Sequence, residues 1–202
     1  AMEAARYWLL GGASKPEKRG DEEFAMKRFI LGLAMGSGVL VALAVGVWLT
    51  IAYTGFYNVA ATDPHSDTIR WTFEKTRDRA VERQSAVVKL PEEFGAEKVA
   101  EGAEHYAESC VLCHGGPGEE AAEWSHGMRP KPPHLAEAAK EWEPEEIYWI
   151  AQNGFKLTGM PAFGESHSEE EILALTAFVT KLPGMTEKEY KQLTGTTGQS
   201  DQ

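Results

Sequence analysis

Residues 110–116 read CVLCHGG, and the interpretation of the whole chain depends on this stretch. Cys110 and Cys113 are the only two cysteines among the 202 residues, and His114 follows at once. Several kinds of site use a cysteine pair at this spacing: a zinc site, a redox-active dithiol, a structural disulfide and a covalent attachment site. Which of these four kinds of site is present has to be inferred from the residues around the cysteine pair.

Three of these interpretations leave something unexplained. A zinc site needs about four ligands, usually from two such pairs, and the chain has no second pair. A thioredoxin-like dithiol is expected in a strand–helix context, whereas the flanks here have helical patterns. A disulfide remains open, but it does not account for the adjacent histidine. The sequence C-x-x-C-H is also the attachment sequence of c-type haem, in which the thiols bond the porphyrin and the histidine reaches the iron.

The residues before Cys110 are spaced as on one face of a helix. Gly102 and Tyr106 precede Cys110 at intervals of four residues, and residues four apart lie on the same side of an α-helix. The glycine has no side chain to keep a second helix away, and the aromatic ring can pack beside it. We therefore predict a helix that runs into the cysteine pair and is crossed by another helix at Gly102.

Two further features follow the cysteine pair along the chain. Residues 159–164 read GMPAFG, a Pro/Gly-rich loop in which Met160 can offer its thioether sulfur to iron. Residues 169–182 read EEEILALTAFVTKL, with the apolar stripe of an amphipathic helix. Ser168 and Glu171 have the spacing of a capping box, which would start this helix. This closing helix is the one expected to cross the helix before the cysteines.

Together these features resemble a class I monohaem cytochrome c domain over residues 96–183. The matching elements are the glycine–aromatic helix, the C-x-x-C-H sequence, the Pro-rich stretch before Leu135, the Asn153-Gly154 turn, Gly159-Met160-Pro161 and the closing helix. The resemblance implies an all-α fold around one covalent haem c attached to Cys110 and Cys113. It also implies that His114 and Met160 are the axial ligands of the iron, and that the protein is an electron carrier rather than an enzyme.

Other side chains compete with Met160 for the sixth position on the iron. Met128 is the strongest rival because it lies in a Gly/Pro-rich segment. The remaining rivals are His105, His126, His134 and His167. Of these, His105 and His167 are expected at the surface. Because a thioether would fill the sixth position, we favour an electron carrier over a five-coordinate haem enzyme or gas sensor, which is the alternative.

Three supporting features are also expected near the haem. Pro132 or Pro133 should precede a backbone carbonyl that accepts the ring N–H of His114 and orients the imidazole. Asn153 should form a hydrogen bond near the methionine. Residues 115–124, which begin GGPGEE, should form a flexible and exposed loop.

Residues 30–53 read ILGLAMGSGVLVALAVGVWLTIAY, a stretch of 24 residues without a charge. Because about 20 apolar residues span a bilayer, we predict a single transmembrane anchor at 29–54. A cleaved signal peptide would be shorter, lie nearer the start and end in a small-x-small site. Gly32 and Gly36 could let another membrane helix approach closely. Glycine is common in membrane helices in any case, and that is the interpretation we favour.

The distribution of basic residues predicts the orientation of the anchor. Five basic residues lie within 15 residues before it: Lys15, Lys18, Arg19, Lys27 and Arg28. The first basic residue after it is Arg70. The positive-inside rule then places the N-terminus in the cytoplasm and the rest of the chain on the periplasmic side. With its anchor the chain resembles membrane-anchored bacterial cytochromes c, which implies a single-pass protein of the bacterial inner membrane.

We predict five regions from these patterns. Residues 1–28 are a cytoplasmic extension, and the anchor at 29–54 follows. Residues 55–90 are a periplasmic linker containing a helical stalk at 66–88, where apolar residues recur at helical spacing. Residues 91–190 are the haem domain, and residues 191–202 are a C-terminal tail.

The charge of the chain bears on its partners. Residues 91–202 hold 8 Lys/Arg and 21 Asp/Glu, and so acidic a region argues against a nucleic-acid partner. Besides the lipid bilayer, the expected partners are redox proteins, such as a quinol-oxidising complex and a terminal oxidase or photosynthetic reaction centre. The alternative is that the chain is a fixed haem subunit of a larger respiratory or photosynthetic complex.

Overall fold

The computed structural model describes residues 17–195, with side chains from residue 20 onward. The expected all-α fold is confirmed: residues 17–195 form helices and connecting turns, without a β-strand. The chain divides into two units, one ending at Val59 and the other beginning at Ala60. Residues 1–16 of the expected extension and 196–202 of the expected tail lie outside the described residues, and the five region boundaries remain predictions.

The first unit contains helix α1, Glu17–Thr54. The helix is long and apolar enough to cross a membrane, and its side chains are exposed from residue 20 to its end. Two hydroxyl groups in its last turns are satisfied within the helix, since Thr50 Oγ1 donates to the Gly46 carbonyl at 2.8 Å and Thr54 Oγ1 to the Thr50 carbonyl at 2.6 Å. Such internal pairing suits a lipid environment, where water is not available as a partner.

The second unit is a helical domain. Its helices are α2 (Asp67–Ser85), α3 (Ala96–Ser109), α4 (Val111–His114), α5 (Leu135–Ala138), α6 (Pro144–Asn153), α7 (Glu169–Lys181) and α8 (Glu187–Thr194), with 3₁₀ turns at Glu123–Gly127, Ala139–Glu141 and Phe163–Glu165. Helix α3 ends next to Cys110, as predicted. The capping box at the start of α7 is also confirmed, because the Glu171 carboxylate accepts from the Ser168 amide at 2.7 Å and the Glu171 amide donates to the Ser168 hydroxyl at 3.3 Å.

Helices α3 and α7 cross at Gly102, and this crossing positions the cysteine pair. A Cβ atom added at Gly102 would lie 1.9 Å from the Ala174 carbonyl oxygen and 2.9 Å from Phe178 Cβ. The two backbones therefore approach more closely than any side chain at this position would permit. Around the crossing the side chains of Phe178 and Leu175 are buried, and burial of each stabilises the fold by about 1.5–3 kcal/mol.

Three aromatic rings fill the core beside this crossing. The Tyr106 ring centre lies 5.2 Å from that of Phe178 and 6.3 Å from that of Tyr190, and the last two are 6.2 Å apart. All three side chains are completely buried, and such tilted pairs add about 0.5–1.5 kcal/mol each beyond the area that they bury. Through Tyr190, helix α8 is part of the core.

The expected exposure of residues 115–124 is wrong for the first two residues of that loop. Gly115 and Gly116 are buried, and the Tyr106 hydroxyl donates a hydrogen bond to the Gly115 carbonyl at 2.6 Å. A Cβ atom added at Gly116 would lie 2.3 Å from Tyr190 Cζ. The start of the loop is covered because α8 packs its tyrosine against the glycine backbone, a long-range contact that the local sequence does not reveal.

Helix α2 occupies most of the expected stalk helix at 66–88, and its second half packs against α6. Val81 is completely buried and Ser85 is 3% exposed. The Arg77 guanidinium carbon lies 5.5 Å from the centre of the Trp142 ring, a cation–π distance. The second half of α2 therefore belongs to the packed domain rather than standing free of it.

The close crossing makes Gly102 a sensitive position. Replacing Gly102 with Ala should lower the free energy of unfolding by about 3 kcal/mol, because the added methyl group meets a backbone carbonyl that cannot rotate away. Guanidinium unfolding of the full-length protein in detergent, followed by tryptophan fluorescence, measures the change.

Gly127→Ala is the matched control, since no atom lies within 4 Å of an added Cβ there. It should change the stability by less than about 0.5 kcal/mol. Equal losses in the two variants would contradict the close crossing.

Candidate functional site

The C-x-x-C-H sequence forms one tight turn at the junction of α3 and α4. The amides of Cys113 and His114 donate to the Cys110 carbonyl at 3.1 and 3.0 Å, and the Gly115 amide donates to the Val111 carbonyl at 2.8 Å. Gly115 ends the turn with φ +62°, a region that favours glycine. Residues three and four apart on a helical turn are neighbours, so the two thiols and the imidazole lie together.

The two thiols are free and half-buried, and no disulfide joins them. Burial raises the pKa of the Cys110 thiol to about 12, with a smaller contribution from the neighbouring Cys113. A redox-active dithiol needs the opposite, an attacking thiol with a lowered pKa. The redox-active dithiol interpretation therefore loses support, whereas two reduced thiols on one turn suit covalent attachment.

The imidazole of His114 is fixed in one tautomer. Its Nδ1 lies 2.7 Å from the Pro133 carbonyl oxygen, and because a carbonyl only accepts, Nδ1 carries the hydrogen and Nε2 keeps its lone pair. Burial lowers the pKa of His114, although this hydrogen bond opposes the shift. The side chain is thus a neutral imidazole with one nitrogen available to a metal. The acceptor predicted after Pro132 is confirmed.

Met160 lies in a loop whose backbone is hydrogen-bonded to itself. The Met160 amide donates to Thr158 Oγ1 at 3.1 Å, and its carbonyl accepts from the Phe155 amide at 3.4 Å. The loop begins at Gly154, with φ +60°, where an added Cβ would lie 2.5 Å from the Pro161 carbonyl. The position of the methionine backbone is therefore well defined, and its side chain is half-buried.

Residues 122–133, here called the bridging segment, are hydrogen-bonded at both ends to the C-x-x-C-H turn, which we call the attachment turn. At the start of the segment the Ala122 amide donates to the Leu112 carbonyl at 2.9 Å. At its end Pro133 accepts the hydrogen bond from His114. The segment is therefore anchored at two points of the C-x-x-C-H turn.

The middle of the bridging segment reaches the loop that carries Met160. The methyl group of Met128 packs against Gly159, where an added Cβ would lie 1.7 Å from Met128 Cε. The structure thus brings the attachment turn and the Met160 loop against one stretch of chain. The sequence signalled Met128 only as a rival ligand and did not signal this contact.

His105 and His167 were expected at the surface, and this is wrong for both. The two side chains are half-buried and their ring centres lie 6.0 Å apart. His105 Nε2 is 3.9 Å from a Glu171 carboxylate oxygen, and His167 Nε2 is 3.5 Å from Ser109 Oγ. They pack between α3 and the start of α7, because the close helix crossing draws these two elements together.

Three other residues named in the sequence analysis, Asn153, His126 and His134, are placed as follows. Asn153 does not bond near the methionine, since its amide donates to the Trp149 carbonyl of its own helix at 2.9 Å. His126 is exposed. His134 lies beside the attachment turn, with Cδ2 3.3 Å from a Cβ atom added at Gly115.

These side chains fit a covalently bound haem c. The two thiols are free to form thioether bonds, the lone pair of His114 Nε2 suits iron, and the Met160 side chain would offer a thioether as a second ligand. Zinc fits less well, because within residues 17–195 no three His, Cys, Asp or Glu side chains come together as a metal site.

The comparison with known families agrees with this chemistry. A family model described as cytochrome c oxidase, cbb3-type, subunit III, matches residues 97–179. The match begins in α3, includes the C-x-x-C-H turn and the Met160 loop, and ends in α7. The chain therefore carries a class I monohaem cytochrome c domain, which binds one haem c covalently and serves in electron transfer.

Proposed function

We propose that this chain is a membrane-anchored carrier of single electrons between redox complexes on the periplasmic side of a bacterial inner membrane. In this proposal Cys110 and Cys113 form the thioether bonds to the haem, and His114 and Met160 are the axial ligands of its iron. The observation that carries the proposal is the 2.7 Å hydrogen bond from His114 Nδ1 to the Pro133 carbonyl. It holds a neutral imidazole next to two free thiols, with Nε2 available to the iron.

The two proposed ligands explain why a carrier is favoured over an enzyme. When bound, the haem iron supplies the one-electron chemistry. His114 and Met160 would occupy both axial positions in each oxidation state, so little rearrangement accompanies electron transfer. A filled sixth position also leaves no open site for peroxide or oxygen chemistry, which a five-coordinate enzyme or gas sensor would need.

The proposed membrane location of the chain, and the side of the membrane on which its haem domain lies, are inferred from α1 and from the charge pattern of the sequence. A single apolar helix near the N-terminus fits a single-pass membrane protein. Four basic residues lie in the N-terminal part of this helix, before its apolar stretch, whereas the first basic residue after the helix is Arg70. This distribution supports a periplasmic haem domain. Haem c attachment requires exported, reduced thiols, so a mature chain without haem would argue against this orientation.

The acidic domain supports a particular kind of docking partner. With 21 Asp/Glu against 8 Lys/Arg in residues 91–202, the domain would be attracted to a redox protein with a basic surface. A quinol-oxidising complex as donor and a terminal oxidase or photosynthetic reaction centre as acceptor are the proposed partner classes.

A second candidate function is that of a fixed haem subunit within a larger complex. The matching family is described as a subunit of a cytochrome c oxidase, which favours this candidate. The packing of Val81 of α2 in the core also favours it, because a partly docked helix limits the reach of the domain.

Replacing Met160 with Ala should abolish the far-red absorption band that a thioether–ferric iron bond produces. The ferrous variant should then bind carbon monoxide rapidly and stoichiometrically, because the sixth position has lost its ligand. Optical spectra of the haem-loaded full-length protein in detergent provide both measurements.

Met185→Ala is the matched control, because Met185 is half-buried in the same domain and packs against the core. It should keep the far-red band and resist carbon monoxide. If Met160→Ala also kept the band, Met160 would be excluded as the ligand.

Purification in mild detergent distinguishes the carrier from the fixed subunit. A carrier should elute apart from other membrane proteins, with a haem content of one per chain. Elution in constant ratio with other redox chains, persisting at high salt, would instead establish the subunit, because high salt screens transient electrostatic contacts between carriers and their partners.

A further inference from the structure

Met128 contacts the Met160 loop in a way that no ligand assignment uses. A Cβ atom added at Gly159 would lie 1.7 Å from Met128 Cε and 3.5 Å from its sulfur. The methyl group of Met128 therefore rests directly on the backbone of the residue before Met160. A side chain at position 159 would have to displace this methyl group.

The backbone of Met128 is held in place by its own neighbours. Its amide donates to the Ser125 carbonyl at 3.1 Å, and Ser125 is 1% exposed. The Arg129 guanidinium Nη1 donates to the Met128 carbonyl at 2.8 Å and to the His126 carbonyl at 3.0 Å. The bridging segment can therefore act as a firm support for the side chain of Met128.

The Met160 loop is held differently on its two sides. After the methionine, Pro161 packs closely against Gly154 at the end of α6. Before the methionine, the hydrogen bonds to Thr158 and Phe155 lie within the loop and fix only its local shape. Leu157 at the tip is 89% exposed, and Gly159 is exposed as well, so the contact from Met128 falls on the exposed side of the loop.

We propose that Met128 is a positioning residue, which keeps the Met160 thioether on the haem iron by pressing on Gly159. This inference rests on the proposed function, in which Met160 is the axial ligand. A residue that contacts the backbone of a ligand loop limits how often the ligand moves away, and loss of such partners typically weakens ligation about 10–100-fold. The contact requires a side chain of the size of Met128 and does not require its sulfur atom.

The competing role is that Met128 itself binds the iron. The two methionines meet at the same loop, so either sulfur is a chemically suitable ligand. The positioning role is favoured because the methyl end of Met128, not its sulfur, makes the nearer approach to Gly159. The two roles predict different behaviour for a leucine substitution, which keeps the volume and removes the sulfur.

The test compares Met128→Ala and Met128→Leu in the haem-loaded, full-length protein in detergent. The readouts are the far-red absorption of the ferric protein and the rate at which the ferrous protein binds carbon monoxide. Met128→Ala should keep the far-red band but bind carbon monoxide about tenfold faster, because the sixth ligand leaves more often. Met128→Leu and the control Met185→Ala should both behave like the unaltered protein.

The outcomes separate this inference from the ligand assignment. If Met160→Ala loses the far-red band and Met128→Ala binds carbon monoxide at the unaltered rate, the positioning role is wrong and the ligand assignment stands. If both Met128 variants lose the band while Met160→Ala keeps it, Met128 is the ligand and both proposals are overturned.

A reciprocal substitution covers the case in which Met128→Ala does not mature. Gly159→Ala places a methyl group where Met128 Cε lies, so it should also speed carbon monoxide binding about tenfold. Gly95→Ala, with open space around it and outside the bridging segment, is its control. An unchanged rate in Gly159→Ala would overturn the positioning role.

Discussion

The missing side chain at Gly102 sets the distance between α3 and α7, and that distance determines where the chemistry of the domain lies. One helical turn after the crossing, Tyr106 packs against Phe178 and Tyr190 and holds the Gly115 carbonyl with its hydroxyl. One further turn on, Cys110 begins the attachment turn. The thiols and the imidazole are thus positioned by the core, through the completely buried rings of Tyr106, Phe178 and Tyr190.

The environment of the attachment turn disfavours a redox-active dithiol and suits a metal ligand at His114. Burial raises the pKa of the Cys110 thiol, and the hydrogen bond to Pro133 leaves His114 with one ring nitrogen free for a metal. The bridging segment, residues 122–133, provides that hydrogen bond and also contacts Gly159 of the Met160 loop through Met128. The two residues proposed to hold the iron, His114 and Met160, would therefore both lie next to one short stretch of chain.

Sequence reasoning identified the features whose signals are local. The C-x-x-C-H turn, the capping box of Ser168 and Glu171, and the close approach at Gly102 are each encoded by a few neighbouring residues. Beyond the crossing at Gly102 and the acceptor for His114, four contacts between distant residues were not foreseen: Tyr190 over Gly116, Arg77 on Trp142, His105 beside His167, and Met128 on Gly159. No periodicity or motif marks such pairs, because they depend on how complete helices pack.

The covalent attachment of haem to Cys110 and Cys113 is the claim on which the functional account depends. Mass spectrometry of the denatured, mature protein after treatment with an alkylating reagent tests it most directly. The account predicts a chain heavier by one haem, with neither thiol alkylated. A colourless chain of unmodified mass, in which both thiols react, would contradict it.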